Sequence, residues 1–147
     1  MINIRSVIVA CALAATVVGC SRPADRPTAP ARHRVVVEVS VDGADRWEAV
    51  LNNVENLQKA FGNPKAEIEV VAHGKGIGIL LSTNVAMTDR MSRIAGTGLV
   101  FAACENTMHK QQLAKTDLMP FVITVDSGVA EVVRKQEAGW SYLKGGE

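Results

Sequence analysis

Apolar and polar residues follow two rhythms along this chain, a period of two over short runs and a helical period over longer ones. Arg34-Val-Val-Val-Glu-Val-Ser-Val41 is β-branched and short, which predicts a buried strand. Asp42 to Asp45 turns the chain, and Asp45 with Glu48 fits a capping box. Trp47, Val50, Leu51, Val54, Leu57 and Phe61 then recur at helical spacing until Gly62-Asn-Pro64 ends the run. Glu67-Ile-Glu-Val-Val-Ala72 predicts a second strand, running into His73-Gly-Lys-Gly-Ile-Gly78. Met87, Met91 and Ile94 mark a second helix with Arg90 and Arg93 on its solvent side, closed by Gly96 and Gly98. Leu99 to Cys104 is apolar throughout, as a strand buried on both faces should be. A short helix over 106–114 and a strand over 121–125 follow. Asp126-Ser127-Gly128 opens a helix carrying Val129, Val132 and Val133, Gly139 stops it, and residues 140–143 alternate like a last strand.

Strands alternating with helices predict an α/β fold, a mainly parallel sheet between two helical layers. In such sheets, ligands and chemistry gather beyond the carboxyl ends of the strands. Residues 42–45, 73–78, 104–107 and 126–128 all fall on that rim.

The first residues read differently. Arg5, an apolar run from Val7 to Val18, and Gly19-Cys20 make an export leader. The run is too short for a membrane span, which takes roughly 20 apolar residues. Val17-Val18-Gly19-Cys20 resembles a bacterial lipobox, so residues 1–19 are expected to be removed and Cys20 acylated. The expected location is the periplasmic side of the envelope, with Ser21 favouring the outer over the inner membrane. Residues 21–33 carry three of the five prolines and read as a flexible tether, reaching at most about 40 Å. The remainder, 34–147, is large enough for one domain.

Losing Arg5 with the leader leaves fifteen basic residues against fifteen acidic ones. A neutral chain without clustered Lys and Arg argues against nucleic acid as a partner. Of the three cysteines, Cys11 leaves with the leader and Cys20 takes the lipid, so Cys104 is the one free thiol. In an exported protein such a thiol is buried, paired between chains, or reactive.

Cys104 ends a strand and opens a helix, so the amides of Glu105, Asn106 and Thr107 are placed to face its sulfur and favour the thiolate. The Glu105 carboxylate works against that, and the apolar strand before it suits a plain core cysteine equally well. His73 also ends a strand. If the second and third strands are neighbours, its ring and the thiol lie about 5 Å apart across the ladder, as a hydrogen-bonding or proton-transfer pair would; if the first strand lies between them, the separation roughly doubles. The alternative is a histidine that caps the loop by bonding backbone. His109 is expected in solvent. Gly74, Gly76 and Gly78 fit neither a dinucleotide nor a phosphate loop. They read as a flexible or closely packed rim loop, a candidate contact for a small ligand. No metal-ligand spacing is present, and no cofactor is implied.

Three segments together resemble the DsrE/DsrF-like family: Val70-Val-Ala-His73-Gly74 with its glycine loop, Phe101-Ala-Ala-Cys104-Glu-Asn-Thr-Met108, and Val125-Asp-Ser-Gly through Trp140-Ser-Tyr. The resemblance spans residues 34–144. It implies a five-stranded sheet with the second and third strands adjacent, assembly into trimers or hexamers, and a cysteine at position 104 that carries sulfur as a persulfide between donor and acceptor proteins. Members with that role are cytoplasmic, and Cys104-Glu-Asn-Thr departs from the residues following their cysteine. The alternative is a non-catalytic, oligomeric module of the envelope that binds a ligand or partner through the glycine rim.

Overall fold

A computed structural model describes residues 32–62, 66–96 and 98–146. The leader, Cys11, Cys20 and the tether through residue 31 lie outside the described residues.

The elements run β1 (His33–Val39), α1 (Ala44–Phe61), β2 (Ala66–Ala72), a 3-10 segment (Gly74–Leu80), α2 (Val85–Ile94), β3 (Leu99–Cys104) and α3 (Glu105–Gln111). A short 3-10 turn (Lys115–Asp117), β4 (Ile123–Val125), α4 (Gly128–Glu137) and β5 (Ser141–Lys144) complete the chain. The strands lie in the order β4-β3-β2-β1-β5, and each neighbouring pair is parallel. This is the expected α/β architecture, with the second and third strands side by side.

Alternation along the strands sorts the core into two layers. Val35, Val37, Val39, Ile68, Val70, Leu99 and Phe101 face α1 and α2, meeting Val50, Leu51, Val54, Met87 and Met91. Each large side chain buried there contributes about 1.5–3 kcal/mol. Val36, Val71 and Ala102 point the other way, against Val132 of α4 and the partly buried Trp140. Among the described residues only α4 packs on that face, and Val100 and Ile123 of the sheet and Val129 and Val133 of α4 remain exposed. Two acids share this second face. Glu38 lies in β1, and Glu69 in β2 is 4% exposed. Lys135 of α4 places its Nζ 2.5 Å from Glu69 Oε2 and 4.3 Å from the Trp140 ring centroid, while Glu69 Oε1 is buried with no partner.

Several local expectations change. The Asp45–Glu48 capping box does not form: α1 starts at Ala44 behind Gly43 (φ 120), whose N–H donates to Asp42 Oδ1 at 2.8 Å. Glu48 is taken instead by Arg90. That arginine is not on a solvated face, because α2 lies beside α1 and Arg90 bridges them, donating to Glu48, Asn52 and Glu55. β4 is shorter than the apolar run 121–125, since the Val122 N–H turns back to the Met119 carbonyl at 3.0 Å. Val100 interrupts the burial of β3, where the α4 layer stops short. His33 belongs to β1 rather than the tether, its ring stacked on Phe61 at 3.9 Å.

Candidate functional site: a thiol among neutral donors

Cys104 is the last residue of β3 and caps α3, so the strand delivers the sulfur to the carboxyl rim and the helix turns its first amides back toward it. It is the free cysteine of the described residues and is 4% exposed. Burial raises the thiol's pKa. Against it act the Thr107 hydroxyl and the backbone N–H groups of Gly128, Thr107 and Asn106, donors placed around the sulfur, and their sum holds the pKa below that of an ordinary thiol. Each of these is a neutral donor. The thiolate is stabilised here by fixed dipoles rather than by a cation.

Thr107 ties the glycine segment to the thiol. Its Oγ1 accepts the Gly74 N–H at 3.0 Å, which leaves the hydroxyl hydrogen for Cys104. Gly74 (φ 54) in turn accepts from Gln111 Nε2 at 2.9 Å. Gly76 and Gly78 serve packing: a β-carbon at Gly76 would stand 2.1 Å from the Val39 carbonyl oxygen, and one at Gly78 would stand 2.8 Å from the Trp47 ring. Gly78 also lines an open cleft of about 500 Å³ with Asp42, Trp47, Lys75, Asn84 and Gln111. Glu105 is half-buried at the start of α3 and Asn106 is exposed, its N–H shared with the Asp126 carbonyl at 3.3 Å.

His73 stands beside the thiol. Ala72 pairs with Ala103, so His73 and Cys104 follow at adjacent strand ends. Gly128, the first residue of α4, sits over both. A β-carbon there would be 3.0 Å from His73 Cβ and 3.1 Å from Cys104 Cβ, so glycine lets the start of α4 lie close against both. The imidazole, however, is not among the donors that shift the thiol. Its Nε2 lies 2.8 Å from Glu38 Oε1, and the Tyr142 hydroxyl donates to Glu38 Oε2. Burial pushes the Glu38 carboxyl up, but the bonds from Tyr142 and His73 and the nearby Lys144 charge hold it below the usual carboxylate value. Glu38 is therefore a carboxylate that only accepts, and the hydrogen in that bond is carried by His73 Nε2.

Glu38, Tyr142 and the Gly128 amide were not singled out by the pattern of residues. Glu38 left one trace, an acid within a run of valines where a buried strand has no ordinary use for a charge. His109 is exposed, as expected. Among the described residues no cluster of His, Cys, Asp and Glu is placed to hold a metal, and no helix is long and apolar enough to cross a membrane.

No protein-family model matches the chain, and no curated protein matches it. Seven solved chains do. One is the structure of a protein of unknown function, MTH1491, from Methanobacterium thermoautotrophicum, 33% identical, with a TM-score of 0.71 over 76% of this chain and 98% of the archaeal one. The chain belongs to the family of that archaeal protein. Membership at this coverage takes in nearly the whole archaeal chain, so the layers described above are the family's fold.

Proposed function

We propose that this protein carries sulfur as a persulfide on Cys104, in the manner of a DsrE/DsrF-like relay. The observation that supports this is the set of four hydrogen-bond donors on a sulfur that is otherwise buried. A structural core cysteine needs none of them, and a carried anion needs all of them. The step is balanced without an external oxidant. The Cys104 thiolate attacks the terminal sulfur of a donor persulfide, a Cys104 S–S bond forms, the donor S–S bond breaks, and the electron pair leaves on the donor thiolate. The reverse sequence delivers the sulfur to an acceptor protein.

The same reading places the domain on the periplasmic side of the envelope, held by an acylated Cys20, more readily at the outer membrane than the inner. It also takes the exposed strip Val100, Ile123, Val129 and Val133 as a contact between copies in a trimer or hexamer. The second reading, a ligand- or partner-binding module without chemistry, draws on two observations: the 4% exposure of Cys104 and the open cleft at Gly78.

Alkylation separates them. Native Cys104 should react with iodoacetamide, with a half-maximal pH below that of a free thiol, and should gain the mass of one sulfur atom from a small persulfide donor. Thr107→Val should raise that half-maximal pH, since it removes the hydroxyl that lowers the thiol's pKa. A cysteine that reacts only after denaturation sinks the carrier reading and leaves the binding module.

A further inference from the structure

The thiol's donors account for how an anion is held at Cys104, but not for the hydrogen-bonded chain behind His73. The sulfur's partners come from α3 and α4. Glu38 and Tyr142 come from β1 and β5, on the far side of the imidazole. Their carboxylate is well satisfied, with the histidine on one oxygen and the tyrosine on the other.

We propose that Glu38 is a positioning residue that fixes His73 as its Nε2–H tautomer, so that Nδ1 is the base that moves the proton during sulfur transfer at Cys104. This rests on the sulfur-carrier reading. A carboxylate can only accept, so a ring nitrogen 2.8 Å from Glu38 carries the hydrogen and the other nitrogen of the neutral ring keeps its lone pair. A carboxylate in that position also stabilises the imidazolium that forms when the ring takes a second proton, as in hydrolytic triads. The proton path closes. The donor persulfide arrives protonated on its terminal sulfur, and the Cys104 thiolate attacks that sulfur. Nδ1 accepts the proton as the donor S–S bond breaks, then returns it to the departing thiolate. The products are a Cys104 persulfide anion among its four donors and a neutral donor thiol. No electron is gained or lost overall.

The arrangement explains a division of labour. Neutral dipoles hold the anion, and the Glu38 carboxylate holds the imidazole by its Nε2–H, which leaves Nδ1 open to a proton. His73 and Cys104 stand at adjacent strand ends with Gly128 packed over both, which keeps the ring next to the thiol.

The test uses the full chain with glutathione persulfide as the donor. Ring nitrogen NMR of the unmodified protein at neutral pH should show His73 protonated at Nε2. Glu38→Gln, which still offers an oxygen acceptor, should keep that tautomer, and Glu38→Ala should lose it. His73→Gln should slow sulfur uptake about 100-fold and Glu38→Gln about tenfold. Iodoacetamide alkylation, which needs only the thiolate, should stay within about twofold in both variants, and this also guards against misfolding. An Nδ1–H ring in the unmodified protein overturns the proposal whatever the sulfur chemistry. So does unchanged uptake in His73→Gln when Cys104 does load. A wild-type protein that takes no sulfur sinks the carrier reading and the proton role with it, while the tautomer spectrum still decides whether Glu38 positions the ring.

Discussion

Glu38 and Glu69 sit on neighbouring strands, on the same face of the sheet, and both are acids within apolar runs. They are solved in opposite ways. Glu38 lies near the carboxyl ends of the strands and meets two neutral-capable donors, one on each oxygen. Glu69 lies at the middle of β2 and meets one full charge, Lys135, on one oxygen, leaving the other buried and unpartnered. A buried ion pair of the second kind ties α4 to β2 but is expensive to break and cheap to replace. A carboxylate of the first kind holds a side chain that itself titrates. The comparison separates a buried acid that ties a helix to the sheet from a half-buried one that orients a neighbouring imidazole.

Lys135→Met should produce the largest effect, a loss of about 3 kcal/mol, because it strands the Glu69 charge. Lys135→Met combined with Glu69→Leu should recover most of that in urea denaturation. A single variant as stable as wild type would erase the contrast between the two acids. Tyr142→Phe removes one donor from Glu38 and should cost about 1 kcal/mol. Its effect on sulfur uptake should exceed that of Lys135→Met when both are assayed under conditions where they are folded. The smallest effect is in acid. The Glu38 carboxyl is held below its ordinary value, so its contribution is full above about pH 4.3 and is lost as the pH falls through its lower folded value. The stability gap between wild type and Glu38→Gln should therefore persist at neutral pH and close only in that acidic window. A gap that closes near neutrality would mean Glu38 is not the ionised partner described.

The parts of this molecule that follow from local rhythm were legible before any coordinates. Strands, helices, the rim segments and the place of Cys104 at a strand end come from alternation and glycine punctuation, which act within a few residues. The parts that depend on strand order were not. Tyr142 reaches Glu38 across 104 positions because β5 docks beside β1, and nothing in either segment announces that neighbour. Arg90 misled for the same reason. Its helix face looked solvated until α1 supplied acceptors from 35 to 42 positions away. Gly76 and Gly78 show a different limit: glycines at alternate positions read equally as a flexible or a closely packed loop, and only the packed neighbours decide it, since two of them let Val39 and Trp47 come close. Gly128 was already marked as part of the rim, but its service to Cys104 needed α4 to be laid across β2 and β3.

Because every strand runs the same way, the sheet has a proximal pole and a distal one. The chain comes into β1 at His33, and Cys104 lies at the opposite end, about 20 Å away along the strands. Given a lipid on Cys20, that polarity turns the domain into a spacer: the bilayer holds one pole and the sulfur is offered at the other. A partner would then approach from the aqueous side and collect its cargo without touching the membrane. On the proposed reading, shortening residues 21–31 would limit which partners can reach the sulfur while leaving the thiol's own chemistry unchanged.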